Sequence, residues 1–142
     1  MSDGKRIEDY PALIVEKVRY SDTDRQGHVN NVLFAFFFEA GRVDLLHGEV
    51  DLSAPGCFFV LARSTIDFLG ELNWPGQVEV GTRLAKVGNS SMTVQQALFQ
   101  NGRCAATSES VMVQVDIASR AASPLTDDAR ALLEQLVAVQ EV

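Results

Sequence analysis

Hydrophobic and polar positions alternate along most of this chain, with one long exception in its first third. From Ala12 to Tyr20, the apolar Ile14, Val15, Val18 and Tyr20 are interspersed with Glu16, Lys17 and Arg19, which predicts a strand. Cys57 to Leu69 reads as a longer strand. Phe58, Val60, Ala62, Ile66 and Phe68 form one face, broken by Ser64, and Arg63, Thr65 and Asp67 lie on the other. Val78, Val80, Thr82 and Leu84 alternate with Glu79, Gly81 and Arg83 in a half-buried strand. Met92–Gln100 and Arg103–Ile117 supply two more strands, joined by Asn101-Gly102, a strong hairpin signal. In the last one Val111, Val113, Val115 and Ile117 face one way, with Gln114 and Asp116 facing the other. Asn73-Trp74-Pro75-Gly76 and Gly88-Asn89 are turns.

The exception is Val32 to Leu46. Val32, Ala35, Phe36, Ala40, Val43 and Leu46 recur at helical spacing, and Leu33, Phe34, Phe37, Phe38 and Leu45 widen the stripe until little polar face remains. A helix apolar nearly all round is a buried one. It is expected over about 31–47, capped by Asn30 or Asn31, and stopped by Gly48 with His47 in its last turn. A short amphipathic helix follows Ser123-Pro124-Leu125. Thr126 is its N-cap, Asp127 and Asp128 sit in its first turn, and Ala129, Leu132, Leu133 and Leu136 form its inner stripe.

Strand, long helix, four strands and a short helix make an α+β chain. The short connections among the last four strands require antiparallel pairing. A single sheet can bury the long helix only by curling around it, and its outer face and edges then seek another subunit. The 142 residues are enough for one core and are read as a single domain over 1–142. The net charge of −7 excludes a non-specific nucleic-acid binder, which needs a basic face. Cys57 and Cys104 are the only cysteines, too few for a disulfide framework. No apolar run follows the first charges, and none approaches the ~20 residues of a membrane span. The expectation is a soluble cytoplasmic protein with no membrane or nucleic-acid partner.

The candidate chemistry lies just before the long helix, in Asp22-Thr23-Asp24-Arg25-Gln26-Gly27-His28-Val29-Asn30-Asn31. The Asp-x-Asp opening suggests calcium, but the twelfth position of such a loop must be a bidentate acid and here it is Leu33. His28 and His47 are the only histidines and have no ligand partner at helical spacing, so no metal is expected. There is no Gly-x-Ser-x-Gly elbow and no phosphate-cradling loop. What remains is a carboxylate beside a helix N-terminus. Free N–H groups there can stabilise negative charge growing on a carbonyl oxygen, while the carboxylate attacks or deprotonates water. A thioester suits a site with one acid, because its thiolate leaves with little protonation. The same spacing also suits plain Asx turns and a cap.

Val18-Arg19-Tyr20-Ser21-Asp22-Thr23-Asp24-Arg25-Gln26-Gly27-His28-Val29-Asn30-Asn31, followed by Phe38-Glu39-Ala40-Gly41-Arg42, resembles the signature of the 4-hydroxybenzoyl-CoA thioesterase-like hotdog family, in its acyl-CoA thioesterase branch. Weaker likeness continues through Ala62–Leu69, Gly88–Ser91 and Pro124-Leu125. The resemblance implies a hotdog fold: a curved antiparallel five-stranded sheet wrapped around a long central helix, with a short C-terminal helix. It implies hydrolysis of acyl-CoA to a free acid and CoA, without a cofactor beyond the CoA of the substrate. Asp24 would be nucleophile or general base, the Asn31 amide would meet the thioester carbonyl, and Gly27 would allow the tight turn. His28 and Asn30 would shape the loop, and Asp22 would brace it. Glu39 is a competing carboxylate, expected to pair with Arg42 or a neighbouring subunit, and Gly41 departs slightly from the family pattern.

The family's pocket forms between two subunits, so a homodimer or homotetramer is implied, with Arg63, Ser64 and Thr65 and, from the Gly88–Ser91 turn, Ser90 and Ser91 lining it. Lys86, Arg83 and Arg103 are candidate cations for the CoA phosphates. A non-catalytic acyl-thioester binding module and a thioesterase for acyl-carrier-protein are the rival readings. A buried unpaired carboxylate beside an apolar ligand opposes the first, and acidic net charge opposes the second. A hydratase on the same fold needs an Asp–His motif that is absent.

Overall fold

The computed structural model describes residues 3–137. Five strands and two α-helices follow one another as β1 (Ala12–Val18), α1 (Asn31–His47), β2 (Cys57–Phe68), β3 (Gly76–Val87), β4 (Ser91–Gln100), β5 (Arg103–Asp116) and α2 (Asp127–Glu134), with 3-10 turns at Ile7–Asp9 and Tyr20–Asp22. The strands form one antiparallel sheet in the order β1-β3-β4-β5-β2. This curved sheet around a long helix is the hotdog architecture. Among the described residues no helix is long and apolar enough to cross a membrane.

Local chemistry sets the element ends. The Asn30 side chain accepts the Val32 N–H at 3.1 Å and caps α1. Thr126 accepts the Ala129 N–H at 3.0 Å and caps α2. Asn101 and Gly102 both take positive φ, at 53° and 78°, as a two-residue hairpin between β4 and β5 requires. β1 is shorter than its apolar pattern suggests. It ends at Val18, and Tyr20 enters the 3-10 turn, 73% exposed and edge-on to Trp74.

The helix buries a different stripe from the one its spacing suggests. Phe34, Phe37, Phe38, Gly41, Arg42 and Leu46 face the sheet. Val32, Phe36 and Val43 stand 73%, 49% and 51% exposed on the other side. Gly41 is the reason for the rotation. A Cβ there would lie 2.6 Å from Gln96 Nε2 and 2.8 Å from Val80 Cγ1, so the helix settles with this position against β3 and β4.

The alternation in β2 is also corrected. A β-bulge between Leu61 and Arg63 reverses the strand's parity. Phe59 packs with the core around Leu46, and Ile66 packs with the core around Phe38, so odd positions before the bulge share a side with even positions after it. In β5 the alternation holds, but Ser108, Ser110, Met112 and Gln114 are the buried set. Gln114 is accommodated because its amide accepts from the Ala54 N–H at 2.8 Å and donates to the Pro124 carbonyl at 2.8 Å.

Under α1 the core is divided. One cluster holds Phe34, Phe37, Phe38, Val78, Val80 and Leu98, and another holds Leu46, Leu84, Met92, Val94 and Leu133. Between them runs a polar belt. Gln96 donates to the Phe38 carbonyl at 2.9 Å and to Thr82 Oγ1 at 3.1 Å, while Arg42 donates to Gln96 Oε1 at 3.3 Å and Ser110 Oγ at 3.4 Å. Cys57 and Cys104 are free and half-buried.

Candidate active site

The loop between β1 and α1 is built on its own backbone and braced by a crossover from elsewhere. Buried Asp22 accepts the Arg19 N–H at 2.8 Å and its guanidinium at 3.0 Å, and its carbonyl accepts the Asn30 N–H at 2.9 Å. Asp22 thus ties the two ends of the loop together. Its carboxylate is committed to Arg19.

Asp24 sits at the exposed turn of this loop. Its carbonyl accepts the Gly27 N–H at 3.1 Å and its N–H donates to the His28 carbonyl at 2.7 Å. Gly27 takes φ +83°, a left-handed conformation that glycine adopts freely. The carboxylate is held through one oxygen. Asp24 Oδ1 accepts the Gln26 N–H at 2.8 Å and the His28 N–H at 3.3 Å, and Oδ2 has no hydrogen-bond partner among the described residues. The carboxylate is therefore oriented without being consumed.

The helix follows directly. Asn30 Oδ1 takes the Val32 N–H and the Asn30 carbonyl takes the Leu33 N–H at 2.9 Å. Among the described residues the Asn31 N–H has no acceptor, and it points from the N-terminal end of a 17-residue helix. An unpaired donor at the positive end of a helix, close in sequence to an open carboxylate, can polarise a carbonyl while the carboxylate attacks it or activates water.

The brace comes from the segment between β2 and β3, which crosses the end of the sheet because these two strands are not neighbours. Val29 donates to the Leu72 carbonyl at 2.9 Å, His28 pairs with Asn73 in a bridge, and His28 Nε2 lies 3.2 Å from Glu71 Oε2. Gln100 holds this segment through Asn73. Glu71, Leu72, Asn73 and Gln100 carry no signal for this role in the sequence, since they lie about 40 residues or more beyond the loop and only the fold brings them to it.

The other predicted residues are spread over the protomer. Arg63, Ser64 and Thr65 are exposed in the middle of β2, at the open edge of the sheet. Thr65 shares an outer-face hollow with Asp67, Arg83 and Gln95, and Ser64 pairs with buried Ser110 on the helix side. Ser90 and Ser91 lie in the β3–β4 hairpin, at the opposite end of β3 from the Asp24 loop. The length of that strand separates them, roughly 36 Å at 3.3 Å per residue. Within one chain they do not meet Asp24. Glu39 is exposed and makes no ion pair with Arg42 within 4.0 Å.

The candidate cations separate in the same way. Arg83 is buried on the outer face, donating to Gln95 Oε1 at 3.0 Å beneath the Tyr10 ring. Lys86 lies near the far end of β3. Arg103 alone of the three is at the loop's end of the sheet, with its guanidinium against Gly70. Exposed Arg25, beside Asp24, is a further cation there.

Residues 18–135 match the sequence model of the thioesterase-like superfamily. The structure is similar to the PA5185 protein of Pseudomonas aeruginosa strain PAO1, with 30% identity, 96% of this chain and 98% of that one covered, and a TM-score of 0.85. It is similar to a predicted thioesterase from Bacillus stearothermophilus, with 32% identity, coverage of 88% and 95%, and a TM-score of 0.79. A thioesterase from Thermus thermophilus, solved with coenzyme A and Zn, is 29% identical over 87% of this chain and 98% of that one, with a TM-score of 0.75.

Proposed function

This chain belongs to the thioesterase-like superfamily, and from that premise we propose that it hydrolyses an acyl-CoA thioester to a free carboxylic acid and CoA. The observation that carries this reading is the pairing of an oriented, open Asp24 carboxylate with the unpaired Asn31 N–H seven residues on. The substrate carbonyl oxygen would accept the Asn31 N–H. Asp24 would either take a proton from the attacking water, with the CoA thiolate leaving as the acid forms, or add to the carbonyl carbon and expel the CoA thiolate, giving a mixed anhydride that water then hydrolyses to the free acid and Asp24. One such donor is typically worth about 10²–10³ in rate. The coenzyme A bound to the Thermus thermophilus relative supports a CoA ester as the substrate.

The working unit in this proposal is a homodimer joined through β2. That strand is a 12-residue sheet edge with Leu61 and Phe68 about half exposed, and the outer helix stripe of Val32, Phe36 and Val43 stands open beside the sheet. A long apolar edge of this kind favours pairing with another strand. Two β2 strands meeting antiparallel about a two-fold would bring the far end of one sheet toward the Asp24 loop of the other. Ser90 and Ser91 of a second copy could then approach a site they cannot reach within their own chain.

Thiol release from a panel of acyl- and aroyl-CoA esters tests the reading, with wild type compared with Asp24→Asn and the two cysteines controlled for. Turnover that falls by about 10³ or more in the folded variant supports Asp24 as the reacting group. Absence of turnover on every CoA ester, with ester binding kept in Asp24→Asn, overturns hydrolysis in favour of a binding module.

A further inference from the structure

The turn between β3 and β4 owes its shape to a side chain 41 and 42 residues away from the carbonyls it holds. A closed turn over Gly88–Ser91 would bond the Gly88 carbonyl to the Ser91 N–H. Here the Gly88 N–H donates to the Ser91 carbonyl at 2.7 Å, and the Gly88 carbonyl accepts Arg130 Nη2 at 2.8 Å. The same nitrogen donates to the Asn89 carbonyl at 3.1 Å, and that carbonyl also accepts the Leu125 N–H at 3.0 Å. The Ser90 carbonyl accepts the Gln114 N–H at 2.8 Å. Three successive carbonyls are therefore held from behind the turn, and Arg130 holds two of them.

Arg130 is suited to this work. Its backbone is fixed in α2, whose cap is Thr126 and whose entry is held where the Gln114 amide donates to the Pro124 carbonyl at 2.8 Å. A guanidinium bond to a carbonyl is charge-assisted, so it is shorter and stronger than a neutral one. Nη2 carries two N–H groups and can serve both oxygens. Glu134 lies 4.0 Å from Nη1 with its side chain 58% exposed, and competes weakly. In a trans peptide the N–H points opposite to the carbonyl before it. With the Gly88 and Asn89 carbonyls turned back toward α2, the N–H groups of Asn89 and Ser90 face the other way. A polyanionic CoA ester arriving at this turn would meet donors there, and not the negative ends of carbonyl dipoles.

We infer that Arg130 is a positioning residue for the CoA ester, acting from α2 through the β3–β4 turn and not by touching the substrate. The inference rests on the reading in which Ser90 and Ser91 of one copy approach the Asp24 site of another. Every contact that carries it lies within one chain.

Steady-state hydrolysis of benzoyl-CoA and hexanoyl-CoA by the full-length protein tests it, with urea midpoints measured alongside. Arg130→Met keeps the apolar stem and the helix propensity and removes the donors. It should raise KM about fivefold or more and hold kcat within about twofold. Arg130→Lys, which keeps a cation within reach of the carbonyls, should recover part of that loss. Thr126→Ala removes the α2 cap and leaves the turn bonds in place, so it should lower the urea midpoint with KM unchanged. An unchanged KM in Arg130→Met, a fall confined to kcat, or a lysine variant no better than methionine overturns the inference and leaves hydrolysis standing. So does an equal rise of KM in Thr126→Ala, which would reduce Arg130 to a stabilising residue. If the wild type turns over neither ester, hydrolysis fails, and calorimetric binding of the same two esters decides the inference. Binding weakened about fivefold or more in Arg130→Met upholds it, and equal binding, or none in the wild type, overturns it.

Discussion

Gln100 holds the backbone of Asn73 at both ends of its amide: Oε1 accepts the Asn73 N–H at 2.9 Å, and Nε2 donates to the Asn73 carbonyl at 2.9 Å. Gln100 is the last residue of β4 and is 3% exposed. Asn73 lies in the crossover that braces His28 and Val29, so this side chain connects the sheet to the loop bearing Asp24. Gln100→Ala leaves a backbone donor and acceptor without these partners and should cost about 1–3 kcal/mol. Urea unfolding measures the loss. A matching fall in kcat for CoA-ester hydrolysis would show that the brace positions the loop, and unchanged kcat would limit Gln100 to stability.

Gly41→Ala should destabilise, although alanine is the better helix former by about 0.8–1.0 kcal/mol. The added methyl would meet Gln96 Nε2 at 2.6 Å, Val80 Cγ1 at 2.8 Å and Thr82 Oγ1 at 3.1 Å. Overpacking of this kind costs about 1–3 kcal/mol. Chemical denaturation decides between the signs, and a gain in stability would mean that α1 can lift from the sheet without loss.

Phe36→Glu places a charge in the outer stripe of α1, at a position already 49% exposed. The isolated fold should keep its secondary structure and lose less than about 1 kcal/mol, as is usual for surface positions. Light scattering should show a dimeric wild type and a monomeric variant, with hydrolysis falling in parallel. A wild-type monomer with full turnover would remove the second copy from the proposed site.

Asp51 connects pH to stability. The Ser53 hydroxyl and backbone N–H, followed by His47, hold its carboxyl down to about 2 from an ordinary 3.8. A carboxyl whose folded value is depressed adds stability above the unfolded value, and that stability is lost as pH falls through the folded one. The difference in urea midpoint between wild type and Asp51→Asn should therefore be constant above about pH 5 and shrink between about pH 4 and 2. The group is fully exposed, so the effect is small and weakens further with salt.

Features whose determinants are local were legible in the sequence. The Asn30 and Thr126 caps, the Asn101-Gly102 hairpin and the Gly27 turn each depend on a few adjacent side chains and on backbone conformation. Asp24 and Asn31 were legible as a candidate pair for the same reason, because the helix begins within one short loop of the carboxylate. The resemblance of this stretch to a thioesterase signature agrees with the superfamily match over residues 18–135. The long helix and the run of strands followed from periodicity, and their antiparallel pairing followed from short connections.

What periodicity left undecided was which side of each element faces inward. α1 is apolar nearly all round, so its spacing admits several inner stripes. The contact of Gly41 with Gln96 and Val80, residues some 40–55 positions away, selects the one that buries Phe34, Phe37 and Phe38. In β2 a single inserted residue at the bulge inverts the alternation, and an alternating pattern contains no mark of it. Strand order likewise belongs to the tertiary structure: it sends β2 to the far edge and sets β3 beside β1, where Arg83 is enclosed under Tyr10. The sequence by itself determined the local turns, the caps and the acid beside a helix end, because those depend on neighbours along the chain. The tertiary structure alone decided the buried faces, the crossover that braces the loop and the polar belt that joins Arg42 to Gln96 and Ser110, because those depend on contacts between distant residues.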